Sequence, residues 1–231
     1  MSIFSNLSNA GLEESKDTLG GFQLFDTNIY TATVKLAYAG ESAGGAMSVT
    51  FLFDIDGKEH RETFYVTNRQ KQNFYTTNGK KYPLPGYTIV DDICVIASGK
   101  PLAEQETEPK MVKIYNAMAK EEVPTQVPVL VDLIGNKVAL GIFKQIENKN
   151  AKNASGEYEP TEETRELNVV DKVFHPEVKL TVVEAKDGKT EPNFWNKWLE
   201  KNKDTVRNRC TFKGKSNTSK SETPVKKSLF G

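Results

Sequence analysis

Residues 30–38 read YTATVKLAY and residues 47–57 read MSVTFLFDIDG, and these two stretches decide the fold. In both of them apolar side chains recur at every second position, which is typical of strands with one buried face. The pair Asp56-Gly57 predicts a tight hairpin turn into a third strand at residues 63–67. The sequence therefore predicts a three-stranded antiparallel meander.

Beyond the meander, Gly and Pro residues predict turns and extended chain over residues 68–87. Residues 88–98 predict a helix, although their β-branched side chains leave a buried strand open as the alternative. At least five strands with short helices predict a mainly β (α+β) domain, for which an oligonucleotide/oligosaccharide-binding (OB)-fold-like five-stranded β barrel is a natural candidate. The other expected elements are a short helix at 111–119, a hairpin of strands 127–134 and 138–146, a polar loop at 148–165, a strand at 166–174 and a helix at 191–201.

The 231-residue chain is neutral overall, with 31 basic and 31 acidic residues, but its charge is unevenly distributed. Residues 197–231 hold ten basic residues against three acidic ones, a net charge of +7, so the remainder carries −7. Such a segment favours a polyanionic partner, or contact between the tail and the acidic body. We expect a leader at residues 1–21, an OB-fold-like domain at 22–209 and a disordered basic tail at 210–231.

Length and composition exclude several classes of protein. No apolar run approaches the roughly 20 residues that a membrane helix needs. The N-terminal segment lacks the basic and apolar regions of a secretory signal. The two cysteines, Cys94 and Cys210, are too few and too far apart for a disulfide scaffold or a Cys-rich zinc module. A reduced, cytoplasmic protein that does not engage a membrane is therefore expected.

The sequence does not predict an enzyme. It contains neither the GxxxxGK[ST] phosphate loop nor a GxGxxG turn, and we interpret His60 and His175 as ordinary surface histidines. Asp54, Asp56 and Asp91 leave a magnesium-dependent nuclease as an alternative, because carboxylate oxygens bind Mg²⁺. Turn formation explains the first two aspartates more simply, so no catalytic residue, metal or cofactor is expected.

Residues 58–87 interleave cations with aromatic rings. They hold six basic residues against two acidic ones, a net charge of +4, together with six Phe or Tyr side chains. A protein that binds single strands without sequence preference needs this combination, because cations follow the phosphates while flat rings stack on the bases. Strand alternation favours Phe64 pointing into the core and Tyr65 pointing outward. The later rings lie in turn-rich sequence beside lysines, where a core role is less natural.

The run FYVTNRQKQNFYTTNGKKYPLPGYTIVDDICVIASGK, at residues 64–100, and the opening MSIFSNLSNAGLEES resemble single-stranded DNA-binding proteins of lytic bacteriophages. The most similar group is that of podoviruses carrying a virion RNA polymerase, and the resemblance covers residues 1–100 well and the rest loosely. It implies an OB barrel that coats single-stranded DNA in the host cytoplasm during phage DNA replication, recombination and repair, alongside phage replication proteins. It also implies activation of late transcription through the host RNA polymerase. Transferred to this sequence, the implied DNA-binding residues are Tyr65, Arg69, Lys71, Phe74, Tyr75, Lys80, Lys81 and Tyr82.

The C-terminus departs from many single-strand binders, which end in an acidic tail. This chain ends TPVKKSLFG, which is basic with an apolar tip. We expect the tail either to add salt-sensitive DNA affinity or to present Lys226, Lys227, Leu229 and Phe230 to an acidic, grooved partner such as a polymerase. The alternative function, from another class, is a phage structural or assembly protein whose β domain packs against copies of itself.

Overall fold

Strands dominate the computed structural model, which describes residues 24–116, 118–153 and 155–211. The predicted leader at residues 1–21 and the tail from residue 212 onward lie outside these ranges. No helix of the described ranges is long and apolar enough to cross a membrane. The α-helices are α1 (Pro85–Ser98), α2 (Val182–Lys186) and α3 (Asn193–Asn202). The strands are β1 (Asn28–Glu41), β2 (Met47–Ile55), β3 (Lys58–Tyr65), β4 (Phe74–Thr77), β5 (Lys80–Pro83), β6 (Glu108–Asn116), β7 (Glu121–Val129), β8 (Lys137–Lys152), β9 (Tyr158–Phe174) and β10 (Val206–Asn208).

The first three strands form the predicted antiparallel meander. Every second residue of β2 faces the core, so that Phe51, Phe53 and Ile55 have no solvent exposure. The turn into β3 forms at Asp56 and Gly57, whose φ angles are 51° and 80°. Two consecutive positive φ angles give a two-residue turn whose twist matches that of its strands. The meander prediction is confirmed.

The meander continues into a larger sheet with the strand order β3-β2-β1-β8-β9. β8 pairs with β1 through residues 137–142 and with β9 over most of its length. Within the described residues no hydrogen-bonded ladder joins β3 to β9, so the sheet does not close into a barrel. At this seam the carboxylate Oε2 of Glu62 accepts the backbone N–H of Val170 at 3.0 Å. The prediction of a mainly β, α+β fold is confirmed.

Helix α1 packs against β3, β8 and β9. Its residues Val90, Ile93 and Cys94 have no solvent exposure, and burial raises the pKa of the Cys94 thiol to about 12. The helix predicted here is confirmed, and the alternative of a buried strand is wrong. The helix begins at Pro85-Gly86, where a Cβ on Gly86 would collide with the carbonyl oxygen of Tyr65. Only glycine permits this close approach between α1 and the end of β3.

Two predicted elements in the middle of the chain are wrong. Residues 111–119 do not form a helix, because most of them belong to β6, which pairs with β7 along its whole length. In β6 the half-buried Val112 and Ile114 alternate with exposed neighbours, which is the strand period. The predicted hairpin of residues 127–134 with 138–146 does not form either, since β7 pairs with β6 and β8 pairs with β1 and β9.

The polar loop predicted at residues 148–165 is also wrong. β8 and β9 stay paired almost to their tip, and we call residues 147–166 the β8–β9 arm. Cross-strand ion pairs join the two strands, such as that between Lys149 Nζ and Glu163 Oε2 at 3.0 Å. Both faces of the arm are polar, so the sequence has no apolar alternation that would predict strands here.

Helix α3 packs on β8 through a second, smaller core. Trp198 is buried, and a Cβ on Gly141 of β8 would lie 3.1 Å from its ring. The indole N–H of Trp198 donates to Asp171 Oδ2 of β9 at 2.9 Å. The predicted strand at 166–174 and helix at 191–201 are confirmed.

Candidate nucleic-acid interface

Most of the predicted aromatic residues lie on one small hairpin made of β4 and β5, and we call residues 74–83 the aromatic hairpin. Its turn is formed by Asn78 and Gly79, whose φ angles of 48° and 72° suit a two-residue hairpin turn. At its base the N–H of Leu84 donates to the carbonyl oxygen of Asn73 at 2.9 Å. The hairpin is therefore a closed unit between β3 and α1.

One face of the aromatic hairpin carries two exposed tyrosines. Tyr75 and Tyr82 are direct cross-strand partners, and their rings stack with centroids 5.8 Å apart and planes inclined by 27°. The two side chains are 47% and 41% exposed. Lys80, opposite Thr77, projects from the same face. This face thus offers flat aromatic surface and a cation to solvent.

The opposite face of the aromatic hairpin combines a ring with a second lysine. Lys81 Nζ lies 4.4 Å from the ring centroid of Phe74, within cation–π distance. Phe74 is the one partly shielded residue among the eight strand positions of β4 and β5, and the other seven are exposed. The rings of this hairpin therefore do not fill the core, and they are available to a ligand.

Arg69 and Lys71 lie in a separate turn that packs against the connection between β1 and β2. The side chain of Asn68 organises this turn by accepting the N–H groups of Gln70 and Gln72, each at 2.9 Å. Lys71 Nζ lies 3.4 Å from Glu41 Oε1, and a Cβ on Gly44 would lie 3.2 Å from Arg69 Nε. Both cations are held beside the end of the meander, outside the aromatic hairpin.

Tyr65 lies at the end of β3, where strand alternation turns it outward. It is 54% exposed, whereas its neighbour Phe64 is 5% exposed. The predicted orientations of these two rings are confirmed. Thus the described residues contain all eight predicted DNA-binding residues, in three groups: the aromatic hairpin, the Asn68–Gln72 turn and the end of β3. The predicted tail residues Lys226, Lys227, Leu229 and Phe230 lie outside the described residues.

A second basic and aromatic surface, which the sequence analysis missed, lies beside α3. Lys172 Nζ of β9 lies 5.9 Å from the ring centroid of Phe194, and Lys179 Nζ lies 5.4 Å from that of Trp195. In the sequence these rings read as the apolar stripe of an amphipathic helix. The lysines come from distant positions, so no local pattern brings them together with the rings.

His60, Asp54 and Asp91 each form hydrogen bonds that belong to the fold. The interpretation of His60 as a surface residue is wrong, because it is only 9% exposed and its Nε2 lies 2.9 Å from Glu62 Oε2. Asp54 accepts the N–H of Gly57 at 2.9 Å, which is the predicted turn role. Asp91 accepts the N–H of Leu102 at 2.8 Å. Within the described ranges, no three acidic, His or Cys side chains group so as to hold a metal ion.

Among the described residues, Asp92 of α1 is the one carboxyl group whose pKa is strongly shifted. Burial, and to a smaller extent the charge of Asp91, raise the pKa of Asp92 to about 6, although Lys172 and Lys186 oppose this shift. A carboxyl that titrates near pH 6 makes the stability of the domain depend on pH.

Comparisons with known proteins do not place the chain in a family. No protein-family model matches the sequence, and no curated protein compared with it is similar enough to count as a relative.

Proposed function

We propose that this protein binds single-stranded DNA without sequence preference and coats it during phage DNA replication, recombination and repair. The observation that carries this proposal is the exposed, stacked pair Tyr75 and Tyr82 on a hairpin that also carries Lys80 and Lys81. Each base that stacks on such a ring contributes about 1–3 kcal/mol, and the lysines neutralise phosphates. The resemblance of residues 1–100 to phage single-strand binders points the same way.

An OB-fold-like five-stranded barrel is the fold that we propose for this function. The strand order β3-β2-β1-β8-β9 and the position of α1 between β3 and β8 support it. An OB barrel is a partly open five-stranded Greek-key barrel. The two edge strands here, β3 and β9, approach each other at the hydrogen bond from Val170 to Glu62. In this view β4–β5, β6–β7 and β10 are additions to the five barrel strands.

The proposed mechanism requires no covalent chemistry, metal or cofactor. Single-stranded DNA is held unpaired because its bases exchange stacking on one another for stacking on protein rings, while lysines replace counterions at the phosphates. Tyr65 extends the aromatic surface at the end of β3, and Arg69 adds charge near the β1–β2 connection. The proposed protein partners, phage replication proteins and the host RNA polymerase, rest on the resemblance and on the basic tail. We place this work in the host cytoplasm.

A phage structural or assembly role is the second candidate, because the β6–β7 hairpin exposes apolar side chains on β6 and at its tip. Met111, Tyr115 and Met118 are 64%, 59% and 96% exposed. Exposed apolar groups of this kind mark contact sites between proteins. Sedimentation of the free protein over a range of concentrations distinguishes the two: a self-assembling protein forms large particles without DNA, whereas the proposed binder needs DNA to form arrays.

Fluorescence anisotropy tests the proposed function directly. Labelled oligo-dT and a matching duplex are titrated with the full chain at low and moderate salt. We expect tight binding to the single strand, weak binding to the duplex and affinity that falls with rising salt. Absence of binding to oligo-dT at low salt would refute the proposal.

A further inference from the structure

Lysines from three parts of the chain border a groove beside α3. Lys172 comes from β9, Lys189 from the connection that precedes α3, and Lys197 from α3 itself, and these line a cavity of about 310 Å³. Phe194 and Lys197 also line an adjoining cavity of about 320 Å³ that reaches Lys201. We call these two cavities the α3 groove.

Three of the four lysines of the α3 groove form no ion pair among the described residues. Lys189 Nζ lies 3.4 Å from Asp187 Oδ2, but Lys172, Lys197 and Lys201 form no ion pair in the part of the chain that the structure describes. Gathering like charges in one groove raises the free energy of the folded state unless an anion neutralises them.

Three carboxylates, those of Asp92, Asp171 and Glu184, line the α3 groove together with its basic side chains. Burial raises the pKa of Asp92 and the charge of Lys172 lowers it, so Asp92 and Lys172 interact. Asp171 accepts from Arg207 at 3.2 Å and from the indole of Trp198 at 2.9 Å. Glu184 accepts the backbone N–H groups of Thr181 and Phe194 at 3.1 and 2.8 Å. The side chains that line the groove comprise five basic groups against these three carboxylates, so the groove keeps a surplus of two positive charges.

An exposed ring lies among these cations. Phe194 is 38% exposed, and Lys172 Nζ lies 5.9 Å from its centroid. On α3, Phe194, Lys197 and Lys201 are spaced three and four residues apart, so they share one face of the helix. A flat ring flanked by cations is the arrangement found on the aromatic hairpin, and it fits a chain of bases and phosphates.

The α3 groove lies close to the aromatic hairpin. Thr88, in the first turn of α1, lines the groove, and its N–H donates to the carbonyl oxygen of Leu84 at 3.0 Å. Leu84 in turn closes the base of the aromatic hairpin through Asn73. One helical turn, about 5.4 Å along the axis, therefore separates the hairpin base from the groove wall.

We propose that the α3 groove is a second contact site for single-stranded nucleic acid, occupied by the part of a strand that continues past the aromatic hairpin. Its lysines hold phosphates and Phe194 stacks on a base. The inference rests on the proposed function, which supplies the strand, and it adds that the binding site continues from the hairpin across the start of α1.

Oligonucleotides of two lengths test this inference. The double variant Lys197→Ala/Lys201→Ala removes two exposed groove lysines, and anisotropy is measured with labelled oligo-dT of about 8 and about 30 nucleotides, since one OB fold covers about 4–16. We expect affinity for the short oligonucleotide to be unchanged and affinity for the long one to fall about tenfold. The log–log salt slope for the long one should shrink by about 1.4, because each lost single-strand phosphate contact removes about 0.7. The matched control is Lys113→Ala/Lys137→Ala, which removes the same charge from β6 and β8 and should bind like the wild type.

The possible results separate the inference from the proposed function. If the wild type binds neither oligonucleotide, the proposed function fails. If the wild type binds both and the double variant matches it at both lengths, the function stands and the second site is refuted. Equal losses at both lengths would also overturn the inference, because the groove would then belong to the hairpin site itself. A labelled aspartate-rich peptide that binds more tightly than the long oligonucleotide, and loses binding in the double variant, would overturn it in favour of a protein partner.

Discussion

The aromatic hairpin and the β8–β9 arm are both exposed antiparallel hairpins, yet their surfaces differ in kind. The ten residues of the aromatic hairpin comprise three aromatic residues, two lysines and no acidic residue. The arm, residues 147–166, has one ring, six glutamates and three basic residues. In the arm the charges pair across the strands, as between Arg165 and Glu147 at 2.7 Å. In the aromatic hairpin the rings pair instead, and the lysines have no acidic partner on the hairpin.

This difference shows that two antiparallel hairpins of one protein can present surfaces suited to different ligands. Cross-strand ion pairs engage Lys149 and Arg165 of the arm. Its six glutamates against three basic residues leave a net charge of −3, which repels a polyanion. The aromatic hairpin exposes ring faces without a stacking partner and lysines without an acidic partner on the hairpin. A single-stranded nucleic acid would supply both, because its bases stack on rings and its phosphates pair with lysines. The predictions below compare matched substitutions on the two hairpins, or on the body beneath them.

Removal of the tyrosine pair should have the largest effect on binding. Tyr75→Ala alone should weaken oligo-dT binding by about 1–3 kcal/mol, and Tyr75→Ala/Tyr82→Ala by a factor of about 100 or more, because each lost ring removes a stacking partner. Anisotropy titration measures the loss. Tyr158→Ala, which removes the single ring of the arm, should bind like the wild type. An equal loss of affinity from Tyr158→Ala would contradict the prediction that the aromatic hairpin, and not the arm, binds the oligonucleotide.

Loss of the hydrogen bond between β3 and β9 should lower the free energy of unfolding substantially. Glu62→Ala leaves the buried N–H of Val170 without its acceptor, which costs about 1–3 kcal/mol of unfolding free energy. Glu163→Ala on the arm removes an exposed ion pair and should cost less than about 1 kcal/mol. Urea denaturation followed by circular dichroism compares the two. Equal stability of the variants would show that the Glu62 bridge does not hold the seam.

The lysines of the aromatic hairpin should determine part of the salt dependence. Lys80→Ala/Lys81→Ala should reduce the log–log salt slope of oligo-dT binding by about 1.4, since each single-strand phosphate contact contributes about 0.7. The arm variant Lys149→Ala/Lys152→Ala loses the same charge and should keep the wild-type slope. Identical slopes for the two variants would mean that net charge, rather than position, governs binding.

The smallest effect should come from Asp92 of α1, which lies on neither hairpin. Its folded-state pKa of about 6 is above the ordinary value of 3.8, so the folded state holds this proton more tightly than the unfolded chain. Stability from this group is therefore complete below about pH 4 and is lost as pH rises through 6. Asp92→Asn should raise the unfolding free energy by about 1–2 kcal/mol at pH 8, after allowance for its partial exposure, and should change nothing at pH 4. Thermal denaturation at both pH values measures this, and a difference that does not depend on pH would contradict it.

Local sequence patterns predicted the elements that have one apolar face. The meander, α1, α3 and the strand at 166–174 all bury regularly spaced side chains, so their periods are visible in the sequence. The β8–β9 arm has no apolar face, and its pairing is set by cross-strand charges such as Lys149 and Glu163 that a linear pattern does not reveal. The sequence predicts a helix in place of β6 because the alternation of β6 is weak. It also pairs residues 127–129, the end of the true partner β7, with 138–146 in a different hairpin.

One part of the candidate site could be predicted from local sequence and another part could not. The aromatic hairpin was predictable because its rings, lysines and Asn78-Gly79 turn lie within ten residues. The α3 groove was not, since Lys172 and Lys197 lie on different elements and meet only through the packing of α3 on the sheet. The surface position predicted for His60 is wrong for a related reason. Its neighbours in the sequence are charged and indicate a surface, but strand alternation turns its ring inward beside Phe53.

The close approach of Gly86 to Tyr65 has a consequence for the architecture of the chain. The excursion through the Asn68–Gln72 turn and the aromatic hairpin leaves the body at Tyr65 and returns to it at Gly86, where the two backbones are in contact. The intervening chain is therefore a cassette with adjacent ends. Because its ends are adjacent, the length and composition of this segment can change without moving β3 or α1, so the surface that it presents can vary independently of the scaffold that supports it.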